Sequence, residues 1–126
     1  MSKEMRKGTD FEQDTADFFA AVLGDDRIER RVKHGHNDRG DIAGLYVRGK
    51  RTVVECKNCN EMRLSDWVNQ AEEERLNDDA EFGVVVHKRR GCGQKKFGQN
   101  YCTMTLETFA AIIAGAHELL EECNAD

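Results

Sequence analysis

The sequence predicts an α/β fold: a mixed five-stranded sheet flanked by helices, in the order α-β-β-β-α-β-β-α. Two observations carry this reading. Three strand-like segments follow one another between residues 27 and 57 with short connections, the pattern of an antiparallel meander. A helical segment then separates the third strand from the fourth, and a crossover of that kind permits a parallel pair. At 126 residues the chain reads as one domain, 1–126.

Residues 8–23 form the first expected helix, with Phe11, Phe18, Phe19 and Val22 at helical spacing, Thr9 or Asp10 as cap and Gly24 as stop. Residues 27–34 read as a strand with Ile28 and Val32 on one face. His34 to Gly40 is a polar turn, 41–47 (DIAGLYV) the second strand, Arg48 to Lys50 a tight connection, and 51–57 (RTVVECK) the third strand. Helical spacing returns over 65–77, with Trp67, Val68, Ala71 and Leu76 inward and Ser65 as N-cap. The run 82–87 (FGVVVH) is apolar enough for a strand buried on both faces. A glycine-containing basic loop leads to a last strand over 100–105. A last helix over 106–121 follows, its stripe made by Leu106, Phe109, Ile112, Ile113 and Leu120.

Composition bounds the function. The N-terminus, MSKEMRKGTDFEQD, has no apolar signal core, and no run approaches a membrane span, so a soluble, intracellular protein is expected. Five cysteines, an odd number, argue against a disulfide framework. The net charge of −5 does not exclude nucleic acid, because the charge is unevenly distributed. Basic residues gather at Arg27–Arg39 and at Lys88–Lys96, whereas the acids collect at 72–81 and at the C-terminus.

The candidate chemistry lies on the third strand. Side chains alternate faces there, so Val53, Glu55 and Lys57 point one way and Val54 and Cys56 the other. Asp41 opens the neighbouring strand, and hairpin pairing brings it towards Glu55. Two hard oxygen donors converging on a point suit Mg²⁺, which keeps waters and substrate oxygens in its remaining positions. Lys57 beside them can neutralise a phosphate or orient a water. Glu12, in the first helix, offers a third carboxylate to the same cleft. An E-x-K triplet alone says almost nothing; its place in an apolar strand, with Asp41 at a turn-to-strand junction, is what raises it.

The segments GTDFE, RGDIAGL, TVVECKN and WVNQAEEE, in that order, resemble the PD-(D/E)XK nuclease superfamily. The resemblance covers most of residues 8–115, with Gly40 standing where the motif's first letter is proline. The small size, the early Glu12 and the segments GVVVHKRRG and YCTMTLETFAAI look like Holliday junction resolvases of the archaeal type and their small phage-encoded relatives.

The resemblance implies a restriction-endonuclease-like core and Mg²⁺-dependent hydrolysis of DNA, with Mn²⁺ as substitute. It implies Asp41, Glu55 and the backbone carbonyl of Cys56 as metal ligands, Glu12 completing the site through a water, Lys57 acting on the attacking water, and Gln70 steadying the site from the following helix. It further implies four-way junctions as substrate, a homodimer to make two cuts, and the cytoplasm of a bacterial or phage-infected cell. Two rivals are another DNA nuclease of the superfamily (exonuclease, nickase, restriction or repair type) and a non-catalytic DNA-binding module.

Arg31, Lys33, His34, His36 and Arg39 before Asp41, and Lys88, Arg89, Arg90, Lys95 and Lys96 in the basic loop, are the expected DNA contacts. A catalytic reading puts His34, His36 and Asp38 of the turn KHGHNDRGD on the scissile phosphate or on metal, but plain turn geometry at Asn37 and Asp38 is the better explanation of the segment. Cys56-x-x-Cys59 with Cys92 and Cys102 hints at zinc, but no second C-x-x-C exists, and Cys56 should point into the core. Trp67 could stack on a base, though its helical position suits the core.

Overall fold

The computed structural model describes residues 2–32 and 38–120. Lys33, His34 and His36 lie outside the described residues, as does Cys123. Within it the fold is α/β, a mixed open sheet of six strands with helices against it. The elements are α1 (Lys3–Leu23), β1 (Glu29–Arg30), β2 (Ile42–Ala43), β3 (Tyr46–Val47), β4 (Lys50–Lys57), α2 (Leu64–Asn77), β5 (Phe82–His87), β6 (Tyr101–Thr103) and α3 (Leu106–Ala114), with a 3-10 turn over Gln94–Gln99. The strands run in the order β1-β2-β4-β5-β6, and β3 pairs with β4 off this path. β4 and β5 pair in parallel, and the other pairs are antiparallel.

Five expected strands become six because the second one breaks. Gly44 (φ 86°) turns the chain between β2 and β3, and a Cβ there would stand 2.7 Å from the Arg27 carbonyl oxygen. Only glycine permits that approach. Of the first expected strand, the described part 27–32 holds two strand residues, Glu29 and Arg30; Val32, expected inward, is 57% exposed.

The central pair is the core. β5 is buried throughout and β4 from Thr52 to Cys56. Phe11 and Ala16 of α1 pack on Val54, Cys56, Val84 and Val86, while Trp67 and Ala71 of α2 pack on Val85. The two helices thus cover opposite faces of the sheet, since alternate strand residues serve each. Cys56 enters the α1 core as expected.

Helix boundaries moved for identifiable reasons. α1 begins at Lys3, not at 8, because Ser2 caps it, its Oγ accepting from Met5 N–H at 3.1 Å. Val22, expected in its stripe, is exposed. α2 begins one residue before Ser65, so that serine caps nothing. Its inward stripe is Trp67, Ala71 and Glu74, and Leu76, expected inside, is 66% exposed. α3 stops at Gly115 (φ 111°) and buries Thr108 and Ala111. Leu106, Phe109 and Ile113, expected to form its core stripe, face outward instead.

Candidate active site

Asp41 is held against β4 from both ends of its own residue. Its N–H donates to the Val54 carbonyl at 2.8 Å, and its Oδ2 accepts the Cys56 N–H at 2.8 Å. Ile42 pairs with Val54, so the antiparallel register sets Asp41 opposite Glu55. Gly40 makes this possible: at φ 92°, a Cβ would lie 2.7 Å from Val53 Cγ1 and 3.2 Å from the Val54 oxygen. Two residues beyond Glu55, on the same face, Lys57 Nζ stands 3.6 Å from Glu55 Oε1. The structure therefore brings together the three residues that the sequence singles out.

It also adds two. Among the described residues, one group of at least three ligand-type side chains converges, Asp38, Glu55 and Glu74, with an oxygen of each within 4.8 Å of the others. Asp38 is held in place by its own turn, Oδ1 accepting the Gly40 N–H at 3.0 Å. Glu74 is 1% exposed and accepts from Gln70 Nε2 at 3.0 Å. Gln70 thus acts on the site through Glu74. Glu74 has a sequence signal: at positions 67, 71 and 74 it completes the buried stripe of α2, where an acid is out of place.

Burial drives the electrostatics. Asp41 is pushed up to about 8, first by loss of water, then by the Glu55 charge, against the pull of the Cys56 N–H. Glu55 rises to about 9, by burial and then by the neighbouring Glu74 carboxyl, with Lys57 opposing. Glu74 rises to about 7, by burial first, with Asp38 adding to it. Loss of water penalises the charged forms of these groups more than Lys57, 3.6 Å from Glu55, compensates. Glu55 Oε2 and Glu74 Oε2 are buried without a hydrogen-bond partner among the described residues. An all-oxygen set with two unmatched buried carboxylate oxygens fits a hard divalent cation, which relieves both the missing donors and the like charges.

Glu12 stands apart from this group. It pairs with Arg30 at 3.4 Å and reaches Asp41 as a charge that raises it. Cys56 contributes its N–H to Asp41, not a side chain to the site. The described cysteines are free and join no ligand group, so nothing supports zinc among the described residues.

The expected DNA-contact residues divide. Arg31 is committed within the protein, to Asp78 Oδ1 at 3.1 Å and the Arg39 carbonyl at 3.0 Å. Lys88 donates to the Cys92 carbonyl. Arg39, Arg89, Arg90, Lys95 and Lys96 are exposed, and the last four line a concavity of about 690 Å³. Lys3, Arg6 and Lys7, from the unexpected first turns of α1, line an adjoining cleft of about 460 Å³ that also meets Lys88. Reading α1 from residue 8 hid them. Comparison with known protein families, curated proteins and solved structures returns no match. Among the described residues no helix is long and apolar enough to cross a membrane.

Proposed function

We propose that this chain is a metal-dependent DNA nuclease of the PD-(D/E)XK kind, with a restriction-endonuclease-like core, that resolves four-way junctions by phosphodiester hydrolysis. One observation carries the nuclease reading: Glu55 and Glu74 converge with buried carboxylate oxygens unpartnered among the described residues, Glu55 adjoins Lys57, and Lys57 lines a cleft whose other cations suit phosphates. The choice of junctions rests on the resemblance of the motifs to resolvases.

Asp38, Glu55 and Glu74 would hold the cation, with Asp41 packed against Glu55 as a further oxygen donor. Mg²⁺, or Mn²⁺ in its place, supplies charge stabilisation at the scissile phosphate and a more acidic bound water. Lys57 does the chain's own work at the mouth of the site: its ammonium orients the attacking water and counters charge on the phosphate. Gln70 holds the Glu74 carboxylate in one orientation. Arg89, Arg90, Lys95 and Lys96 would bind backbone phosphates without regard to sequence. Paired cuts call for two copies, and the outward stripe of Leu106, Phe109 and Ile113 on α3 is the surface that would join them. A reducing cytoplasm is the setting in which the free cysteines would remain thiols.

The test is a substrate panel with Mg²⁺: four-way junction, flap, single strand and linear duplex. Symmetric nicking of the junction in preference to the others is the expected result. Equal rates on junction and linear duplex would favour a general nuclease of the same superfamily. Junction binding without cleavage, unaffected by Glu55→Ala, would favour a non-catalytic module.

A further inference from the structure

A cleft of about 450 Å³ adjoins Lys57, and its chemistry differs from that of the acid cluster. Lys7, Lys57, Lys88, Arg89 and Arg90 ring it, and among the described residues no carboxylate lines it. Its wall is aromatic. His87, opposite Lys57 in the parallel register, sits between Trp67 and Tyr101, with ring centroids 5.6 and 5.5 Å away. Trp67 is 7% exposed and His87 4%, while Tyr101 is 45% exposed and lines the cleft. His87 Nε2 is bonded to Thr103 Oγ1 at 2.7 Å, and its Nδ1 is buried without a partner among the described residues. The Arg89 guanidinium lies 5.5 Å from the centre of the Tyr101 ring.

A phosphate alone does not require an aromatic wall, and an apolar ligand does not require a ring of cations. A nucleotide requires both, a π-surface for the base and cations for its phosphates. The volume falls in the range of small-molecule sites, about 300–1,000 Å³. In a paired duplex the base faces are hidden inside the stack, so a base reaching Tyr101 must already be unpaired or displaced.

We propose that this cleft receives one unpaired nucleotide of a DNA strand, its base against Tyr101 and its flanking phosphates on Arg89, Arg90 and Lys7, next to Lys57. The inference rests on the reading of the chain as a DNA enzyme and deepens it. Selectivity for DNA with interrupted stacking would then come from this cleft, not from the acids. His87 and Trp67 form the rigid backing that holds Tyr101 in place.

Three DNAs of one sequence test it: fully paired duplex, duplex with one bulged 2-aminopurine, and duplex with an abasic residue at that bulge. Affinities are measured in EDTA by anisotropy, and the 2-aminopurine emission reports stacking. The expected result is binding of the bulged base about tenfold tighter than the abasic bulge, with the emission quenched on binding. Tyr101→Phe should keep that ratio, and Tyr101→Ala should bring it within about twofold of unity, both checked for fold by circular dichroism. If Tyr101→Ala does not fold, the wild-type ratio and the quenching decide. Equal affinity for base and abasic bulge, with Mg²⁺-dependent cleavage intact, would overturn the nucleotide cleft and leave the nuclease standing. Absence of both binding and cleavage on every DNA would overturn the two together. Free adenosine monophosphate that quenches Trp67 and displaces no DNA would reassign the cleft to a free nucleotide and overturn the proposal.

Discussion

Glu74→Gln should make the metal-free protein more stable while weakening its response to cations. Glu74 is 1% exposed and shares its surroundings with the Glu55 carboxyl and the Gln70 amide. Its folded value is raised from 4.5 to about 7. A raised carboxyl contributes stability below its unfolded value, and that contribution is lost as pH rises through the folded one. At pH 8 the loss from this group is about 3 kcal/mol, and at pH 5 it is under about 1 kcal/mol. Glutamine is nearly isosteric and cannot ionise, so the variant avoids the loss. At about 3 °C per kcal/mol for a chain of this length, its melting point in EDTA at pH 8 should rise on the order of ten degrees, less whatever the amide loses in hydrogen bonding. Trp67, the single tryptophan and a neighbour of this site on α2, reports the transition by fluorescence. Mg²⁺ should raise the wild-type melting point and move the variant's much less. A variant that melts lower than wild type in EDTA at pH 8, with an undiminished cation shift, would refute the reasoning.

Cation binding should release protons, because Asp41, Glu55 and Glu74 start with values raised to about 8, 9 and 7. Calorimetry in buffers of different ionisation enthalpy should show it, with affinity climbing from pH 6 to about pH 9. Lys57→Ala should lower the cleavage rate on the order of 10²–10⁴-fold while DNA affinity in EDTA falls less than about tenfold, as single-turnover and anisotropy measurements would show. Gly40→Ala should cost roughly 1–3 kcal/mol from backbone conformation alone, read by urea denaturation. Because its Cβ would meet Val53 and Val54, it should also displace Asp41 and reduce the cation-induced rise in melting point.

Long apolar runs were the legible part of the fold. β5 matches its expected span residue for residue, and β4 gains only Lys50, because burial on both faces leaves little choice of residue. The shared face of Glu55 and Lys57 followed from the strand period, and the approach of Asp41 from hairpin pairing. Other features depended on tertiary context. The first turns of α1 hold charged residues with no apolar period, so Ser2 was invisible as a cap. The break at Gly44 depends on the close approach of Arg27, which has no local trace. Glu74 sat in an acidic run that reads as a solvated face, although its helical phase was that of the buried stripe. The outward stripe on α3 has the pattern of a core helix, and periodicity alone does not distinguish a core from a surface awaiting a second copy.

The most direct measurement is cleavage of a labelled four-way junction by wild type, Glu55→Gln and Lys57→Ala, each with Mg²⁺ and with EDTA. Paired nicks from the wild type in Mg²⁺ alone, lost in both variants although each still binds the junction, is the result expected of an acid cluster and lysine acting on a phosphodiester. Cleavage that persists in EDTA, or that survives Glu55→Gln undiminished, would contradict it.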